Sequence, residues 1–508
     1  MTGYIENSGN TLLQVASQSA PISGTAKEIG AKLFDQLKNR FDRTWGGFGA
    51  APKFPASMTQ KFLLDYYFFS GDHQALHQVL KSLNVMARAG IYDQLGGGFA
   101  RYATDKEWNV PHFEKMLYDN AQLLSLYSQA YKLAPHPLYK KVVQETAGWL
   151  MEDMKSPQGG FYSARDADSE HEEGKYYVWT YQEIQAILDG VEFDLFCTVY
   201  AIQPEGNWDD PYHPVDRPRN IIWVHHDFKD HETLCSPALR SINDKLLKHR
   251  VLRVPPLLDT KVITAWNALL CIGLLDAYDA FGEQKYLAEA KQILSFFESS
   301  VLKGPNYLHQ FDSEIPAMLD DIAYSITAYI HAYRLMGTLT YLQKAKDLLH
   351  VVMTTYYDSS THRFDYSITG SDLIAPVSDF YDNTMPSAIG MMAYNLVQLG
   401  RMTHDLAMED QGAKIIDDLQ GAIYRYPESL SHWASLLMNK SGGWLELKAD
   451  ASDLNGIGHV YLPLWIKGHQ ESEGGISLCH KHSCEMPVNS IQEFRLLLGR
   501  HYYTHEIL

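Results

Sequence analysis

The chain has 508 residues, with 43 lysines and arginines against 61 aspartates and glutamates and a formal net charge of −18. This acidic balance repels phosphate backbones and anionic lipid, so it disfavours nucleic acid and membrane surfaces as partners and favours a neutral or cationic small molecule. Hydrophobic residues make up 45% and charged residues 20% of the chain. These fractions are ordinary for a globular protein and exclude a disordered chain, a collagen and a disulfide scaffold.

The amino terminus shows no basic segment followed by an apolar one, the pattern of a secretory signal, so we expect a cytoplasmic protein. The most apolar long stretch, residues 262–278, is too polar and too short to cross a bilayer, and we expect no transmembrane helix. Five cysteines, an odd number, are typical of reduced cytosolic usage. Three of them, Cys197, Cys235 and Cys271, are isolated in the sequence.

Apolar residues recur at three- and four-residue spacing along most of the chain, which predicts about a dozen helices joined by short connections. Strand-like segments are few: residues 160–163, 175–180 and 220–225, and a terminal set over 443–478. No linker rich in Gly, Ser or Pro interrupts residues 25–440. We therefore predict an extension over residues 1–24, one large helical domain over 25–440 and a small α/β appendage, rich in strands, over 441–508.

Four predicted helices begin with a polar and aromatic turn and then become apolar. They start at PHFEKMLYDNAQLL, DTKVITAWNALLCIG, AMLDDIAYSITAYI and DFYDNTMPSAIGMMAY. A helix that is apolar all round and acidic only in its first turns fits the inner layer of a double-layered ring that is open at one rim. Unpaired N–H groups and the helix dipole favour ionised carboxylates at that rim. Ordinary helix capping explains the same acids equally well.

The densest polar segment runs from Asp93 to Leu123. Its three consecutive glycines lack the strand and helix context of a phosphate-binding loop, which argues against nucleotide binding. A helix that starts at Pro111 would put His112 and Asp119 on one face. Facing one cavity, His112, Glu114 or Asp119 would suit proton transfer as acid or base. The alternative is a buried polar network in which these residues bond to neighbouring loops.

A second cluster, residues 159–179, holds Asp166 and Asp168 one residue apart. The spacing is similar to a calcium loop, but the required glycine and glutamate are misplaced, which excludes an EF-hand. Asp166, which follows Tyr162, is expected to reach the open rim of the predicted ring. The acidic run from Glu170 to Glu173 is typical of a solvated loop.

A third group interleaves acids with aromatic rings. Sugar sites use this combination, because ring faces stack on pyranoses and carboxylates bond hydroxyls or transfer protons. The alternative is that the rings belong to the core and the acids cap helices. The members of the group are Lys261, Trp266, Asn267, Asp320, Asp321, Tyr324, Asp379, Tyr381 and Asp382.

Cys479 and Cys484, with two histidines between them, offer ligands that zinc prefers. Ligands so close in sequence cannot easily surround one ion, so we expect no metal and favour a reduced or redox-sensitive cysteine pair. The motifs of serine hydrolases and of zinc proteases are missing. We expect no bound cofactor.

Several motifs occur in a recognisable order, namely GGFGAAPKFP, GGGFARYATDKEWNVPHFEKMLYDNAQL, GGFYSARDADSE, GKYYVW, DTKVITAWNALL, LDDIAYS and YDNTMPSA. Together they resemble the DUF255, or spermatogenesis-associated thioredoxin-like, family over roughly residues 40–490. The resemblance implies a thioredoxin-like domain followed by an (α/α)6 toroid similar to six-hairpin glycosidases and N-acylglucosamine 2-epimerases. This chain would then be the toroid alone, without thioredoxin-type redox activity unless a separate polypeptide supplies it.

Two departures from the family pattern bear on the chemistry. Ala100 stands where the family usually has His, and PSAIG replaces the usual PSGNS after Tyr381 and Asp382. An epimerase that moves a proton at C2 needs two suitably placed bases. Loss of one imidazole therefore disfavours epimerisation and leaves open that activity has been lost altogether.

We therefore expect a mainly α protein, an (α/α)6 toroid of helical hairpins with a small C-terminal β-rich appendage, that processes a small-molecule or glycan substrate by glycosidase-like or epimerase-like chemistry. The alternative is a non-catalytic toroid that binds a glycan or a protein and acts with a separately encoded thioredoxin-like domain. The expected acid and base groups are His112, Glu114, Asp119, Asp166 and Asp321. The expected substrate-binding residues are Phe99, Arg101, Trp108, Tyr162, Asp168, Lys261, Trp266, Asn267, Tyr324, Tyr381 and Asp382.

Overall fold

Helices dominate the computed structural model, and its strands are short. The structure describes residues 23–209, 218–303, 306–359, 362–367, 380–449, 457, 459–467, 475–480 and 483–502. The chain divides into two compact units. The larger unit comprises Met1–Asn39, Ser57–His77 and Ile263–Leu508, and the smaller unit comprises Arg40–Ala56 and Gln78–Val262.

The larger unit contains helical hairpins whose two members differ in burial. The first helix is buried on nearly all sides, and the second buries one face, as the apolar patterns predict. Two of the buried helices end at Gly282 (φ 69°) and Gly337 (φ 70°), in a left-handed conformation that glycine adopts without steric cost. The hairpins pair Thr264–Phe281 with Gln284–Phe296, Leu319–Met336 with Leu339–Thr355, and Ala388–Thr403 with Leu406–Asp418.

Further helices complete the larger unit. None of the helices in the described residues combines the length and the apolar character that crossing a bilayer requires. The further helices are Ala26–Leu37, Ser57–Ser70, Gln420–Arg425, Ser431–Gly442 and Ile491–His501, and His73–Arg88 starts in the larger unit and ends in the smaller one.

A four-stranded sheet near the C-terminus forms the β-rich appendage that the sequence predicts. Cys479 and Cys484 lie opposite each other on its last two strands and form a disulfide. The pair is therefore oxidised rather than reduced, because antiparallel pairing sets the two side chains side by side. The strands lie in the order Ile466–Lys467, Glu446–Lys448, Ser477–His480 and Ser483–Cys484.

The smaller unit combines helices with two-residue strands that join its loops. Tyr102–Ala103 pairs with Pro111–His112, and Ala164–Arg165 pairs with both Lys115–Met116 and Leu258–Asp259. These pairs connect the segment that precedes helix Leu117–Leu133 to loops that are distant in sequence. The helices are Leu117–Leu133, Pro137–Asp153, Tyr181–Ile187, Gly190–Val199, His231–Leu234 and Pro237–Arg250.

The helix of the PHFEKMLYDN motif begins at Leu117, later than the periodicity predicts. The residues before it are extended because their backbone groups are already paired, with the Arg101 N–H donating to the Glu114 carbonyl at 2.8 Å. An earlier helical turn would break these hydrogen bonds. The prediction that His112 and Asp119 share a helix face is therefore wrong, since His112 lies in a strand.

A buried ion cluster holds the glycine-rich loop of the smaller unit. Both carboxylate oxygens of Asp93 accept hydrogen bonds of 2.8 Å from the Arg250 guanidinium. The Lys115 ammonium donates to Asp93 at 2.8 Å and to the Gly97 carbonyl at 2.7 Å. Burial alone would raise the pKa of Asp93, but the two cations outweigh burial and hold that pKa well below its usual range. Lys115, at the centre of the motif, therefore stabilises the fold.

We expect Arg250→Met to destabilise the chain by about 3 kcal/mol, because the buried Asp93 carboxylate would keep one cation instead of two. Urea unfolding followed by tryptophan fluorescence measures the change. Arg240→Met, which alters an exposed arginine of the same helix, is the matched control. Equal unfolding midpoints for the two variants would contradict a stabilising role for the cluster.

Candidate functional site

His112 is the centre of a polar cluster in the smaller unit. Strand pairing sets it opposite Tyr102, and the two rings stack with centroids 5.0 Å apart. Its Nδ1 lies 2.7 Å from Oε1 of Glu173, whereas no described residue bonds to its Nε2. The carboxylate favours a proton on Nδ1 and leaves Nε2 to accept one. The hydrogen bond to Glu173 raises the pKa of His112.

Glu173 is positioned by a second small strand pair, in which Asp168–Ser169 lies against Glu172–Glu173. The His112 and Glu173 side chains are 31% and 26% exposed. The pair is therefore held in place but remains open to a ligand.

The charged side chains of Arg101 and Glu114 lie near His112, and Asp119 lies near those two charges. The Arg101 guanidinium lies 3.6 Å from the Glu114 carboxylate, and both charges act on the imidazole. Asp119, in the first turn of Leu117–Leu133, has one buried carboxyl oxygen that bonds to no described residue. Burial raises the pKa of Asp119 well above its usual value, although the charge of Arg101 opposes this shift. The cluster thus combines an open imidazole with a carboxyl that holds its proton more tightly than usual.

Two aromatic residues predicted for the site lie in the core of the smaller unit. Phe99 is fully buried and packs against the rings of Tyr92 and Tyr127. Trp108 is also fully buried, and its indole N–H donates to the Trp45 carbonyl at 3.1 Å. Neither ring presents a face to solvent.

The other predicted residues of the smaller unit are accessible. Tyr162 is half-buried, and Asp166, Asp168 and Lys261 are exposed. The Asp166 carboxylate accepts the N–H of the next residue at 2.7 Å, and the Lys261 ammonium lies 2.6 Å from the Asp259 carboxylate. The contacts of Asp166 and Lys261 are local. Asp168 lies opposite Glu173, the partner of His112, in the small strand pair.

In the larger unit, buried carboxylates hold helix starts together. Asp321 is fully buried and accepts the backbone N–H groups of Ala265 at 2.9 Å and Met318 at 2.8 Å. It therefore joins the starts of Thr264–Phe281 and Leu319–Met336. Helix capping, one of the two interpretations of this acid, accounts for both contacts.

Asp321 also positions an imidazole that the sequence analysis does not single out. Its Oδ2 lies 2.8 Å from Nδ1 of His309, whose side chain is 23% exposed, and this hydrogen bond raises the pKa of His309. Neighbouring Asp320 accepts the Tyr366 hydroxyl at 3.0 Å. Burial, together with the charge of Asp321, raises the pKa of Asp320 to about 7. The larger unit thus has its own histidine–carboxylate pair.

Asp382 has a similar role at two other helix starts. It accepts the backbone N–H groups of Ser387 at 2.9 Å and His432 at 2.7 Å. These groups lie at the starts of Ala388–Thr403 and Ser431–Gly442. One carboxylate therefore supplies an acceptor to two helices.

The remaining predicted residues of the larger unit differ in exposure. Tyr324 is buried, and its hydroxyl donates to a backbone carbonyl. Asn267 is fully buried, and its amide donates at 2.9 Å to the carbonyl four residues earlier. Trp266 is half-buried, and Tyr381 is 38% exposed. Asp379 lies outside the described residues.

The sequence does not predict the contacts of Glu173 and His309. Glu173 reaches His112 because the acidic run folds back as a hairpin through Glu170 (φ 51°) and His171 (φ 66°). Such turns usually carry Gly or Asn at positive φ, so the sequence gives little sign of the hairpin. His309 lies between two predicted helices, and no motif in the surrounding sequence indicates a role for it.

No family model matches the chain. An uncharacterised protein of Caenorhabditis elegans is 30% identical over an alignment of 427 positions that covers 76% of this chain and 58% of that protein. Spermatogenesis-associated protein 20 of Mus musculus is 29% identical and covers 80% of this chain and 57% of its own length. The human protein of that name is 28% identical over 96% of this chain and 71% of its own length. The chain thus spans less than three fifths of the first two relatives.

Two solved structures are similar in fold. A sugar epimerase from a ruminal bacterium aligns with a TM-score of 0.51 and 10% identity over 79% of this chain and 87% of its own. D-mannose isomerase aligns with a TM-score of 0.51 and 11% identity over 77% of this chain and 84% of its own. At such identities the likeness shows the fold alone. The fold class is mainly α, of the (α/α)6 toroid type with a few small sheets, as the sequence predicts.

We expect Glu173→Gln to lower the pKa of His112, because an amide stabilises the imidazolium less than a carboxylate does. Histidine-selective NMR titration of the purified chain measures this pKa. Glu170→Gln, which alters an exposed acid of the same hairpin, should leave it unchanged. A His112 pKa that is equal in both variants would contradict the charged hydrogen bond.

We expect Asp382→Ala to lower the free energy of unfolding by about 1.5–3 kcal/mol, since two backbone N–H groups would lose a charged acceptor. Chemical unfolding measures the loss, and Asn383→Ala, an exposed neighbour, is the control. An unfolding midpoint that matches the control would show that water replaces the carboxylate at both helix starts.

Proposed function

We propose that this chain is a carbohydrate-processing enzyme that transfers protons on a sugar substrate at the His112 cluster. The observation that carries the proposal is the pairing of His112 with Glu173, which holds one ring nitrogen and leaves the other open. Near Arg101 and Glu114, whose charges also act on His112, Asp119 retains its proton more strongly than an ordinary carboxyl. Titratable groups with pKa values moved in useful directions are the usual basis of acid–base catalysis.

The roles follow from the geometry of the cluster. Nε2 of His112 is the base, because Glu173 stabilises the imidazolium that forms when it accepts a proton. Asp119 is the acid, because its raised pKa keeps a proton to donate. Arg101, with Glu114 at 3.6 Å, orients substrate oxygens through its fixed donors.

An aromatic surface beside the imidazole suits a sugar ring. Tyr102 stacks on His112, and Phe54 lies with its ring centroid 5.0 Å from that of Tyr102. The Phe54 side chain is 44% exposed. Exposed ring faces of this kind stack on the apolar faces of pyranoses.

Aldose–ketose isomerisation is the reaction that this set of groups fits best. A single base removes the proton at C2 and returns it to C1 on the same face, while a proton moves from O2 to O1. No oxidant or reductant is required. Ala100 stands where the related family usually has a second imidazole, and a one-base reaction does not need it. The fold that this chain has in common with a D-mannose isomerase and a sugar epimerase is compatible with the proposal.

Relatives named spermatogenesis-associated protein 20 support the finer inference that the chain belongs to the DUF255 family. On that inference a thioredoxin-like domain from a separate polypeptide is a candidate partner. The competing function is a toroid that binds a glycan or a protein without turning it over.

The test is exchange of the C2 proton of aldoses incubated with the purified chain in D₂O, followed by ¹H NMR. We expect exchange with the native chain and a loss of about 10²-fold or more in His112→Asn and in Asp119→Asn. The rate should rise with pH through the raised pKa of His112, because only the neutral imidazole accepts a proton. Glu170→Gln is the matched control and should keep the native rate.

Three results would decide against this function. Full exchange in a folded His112→Asn variant would remove the base from the mechanism. Release of reducing sugar from a glycoside without exchange would favour hydrolysis, for which two carboxyls about 5 Å or about 6.5–9.5 Å apart are needed. Saturable glycan binding with neither reaction would favour the non-catalytic alternative.

A further inference from the structure

A cavity of about 230 Å³ in the smaller unit is separate from the residues of the His112 cluster. It lies between the indole of Trp45, the end of helix His73–Arg88 and the segment that carries Lys229. Glu107 and Asn109 also line it. The volume is below the ~300–1,000 Å³ of sites for drug-sized ligands, so a ligand of monosaccharide size is the appropriate scale.

Two cations line the cavity without a carboxylate partner in the described residues. The Arg88 guanidinium donates to the carbonyls of His225, at 3.0 Å, and Phe228. The Lys229 ammonium donates to the His226 carbonyl at 2.8 Å. Carbonyls orient these groups but do not neutralise them. The whole chain carries a net charge of −18, whereas these two cations, without paired acids in the described residues, make the cavity locally positive and favour an anionic ligand.

Two carboxamides line the same cavity, and the side-chain oxygen of each has no hydrogen-bond partner among the described residues. Asn109 is only 7% exposed, and its side-chain oxygen bonds to no described residue. The side-chain oxygen of Asn84 is likewise buried and unpartnered in the described chain. A buried polar group without a partner is destabilising, and the terminal torsion of Asn is soft enough to turn toward a ligand. Hydroxyl groups of a bound molecule would supply the missing donors.

The walls of the cavity add a ring and an acid. The Trp45 ring lies 4.7 Å from the His226 ring, which also lines the cavity, and Trp45 is half-buried. Glu107 is an acceptor for a further hydroxyl. With two cations against one acid among these residues, a ligand with hydroxyls and a negative charge matches the cavity better than an ammonium compound does.

We propose that this cavity binds a small hydroxylated anion, a sugar phosphate or a sugar acid. The anionic group contacts Arg88 and Lys229, and the hydroxyls reach Asn84, Asn109 and Glu107. The proposal does not depend on the reaction at His112. The overall charge of the chain favours neutral or cationic ligands, and this cavity is a local exception.

Isothermal titration calorimetry on the full chain tests the proposal with four probes: D-glucose 6-phosphate, D-gluconate, D-glucose and inorganic phosphate. We expect at least one of the two hydroxylated anions to bind ten-fold or more tightly than glucose and phosphate. Whichever of these two anions binds more tightly shows whether the cavity prefers a phosphate or a carboxylate. Arg88→Met and Lys229→Gln should each weaken that binding about ten-fold, and Lys229 is exposed enough for its variant to fold.

Two control variants, Arg240→Met and His112→Asn, and a third cavity variant, Asn84→Ala, make the test specific. Arg240→Met, which alters an exposed arginine of another helix, should bind as the native chain does. Asn84→Ala should weaken binding about ten-fold without lowering the melting temperature, because its carboxamide oxygen has no partner to lose within the described chain. His112→Asn should also bind normally, which separates this cavity from the proposed catalytic cluster.

The proposal fails if phosphate binds as tightly as both hydroxylated anions, since the site would then recognise charge alone. It also fails if Arg240→Met weakens binding as much as Arg88→Met and Lys229→Gln, which would indicate non-specific attraction. Binding that disappears only in His112→Asn would assign the ligand to the other cluster. No binding of any probe at millimolar concentration would exclude a site for this class of ligand.

Discussion

The starts of buried helices expose backbone N–H groups that need acceptors, and this requirement shapes the larger unit. Asp321 and Asp382 each bond to the starts of two helices. A carboxylate in this place accepts hydrogen bonds from the N–H groups of two chain segments at once and fixes the distance between them. The same requirement places polar side chains next to buried apolar helices, where a capping carboxylate such as Asp321 also positions a histidine, His309.

Each unit holds a histidine by the same means. Nδ1 of His112 bonds to Glu173, and Nδ1 of His309 bonds to Asp321, so both rings have a defined orientation. The two carboxylates differ in their surroundings, because Glu173 is partly exposed and Asp321 is fully buried. Glu173 is therefore free to respond to a ligand, whereas Asp321 is constrained by the helix starts that it caps.

The sequence predicts the helical architecture well because the long buried helices are apolar over many turns. It also predicts that acids gather at helix starts. Asp321 lies in the first turn of its helix, and Asp382, which lies before its helix, bonds to the starts of two helices. It fails where backbone pairing between distant loops decides the structure, as in the strand of His112. The contact between His112 and Glu173 depends on a hairpin with no glycine at its turn, and local patterns do not encode such a contact.

Asp320 gives the larger unit a link between proton binding and folding. In an unfolded chain its carboxyl would lose its proton near pH 4, whereas burial beside Asp321 delays that loss until about pH 7. Between these values the folded state binds a proton that the unfolded state has released. Acidification through this interval therefore favours the native helix start through Asp320, opposite to the effect of a carboxylate that is stabilised by a cation.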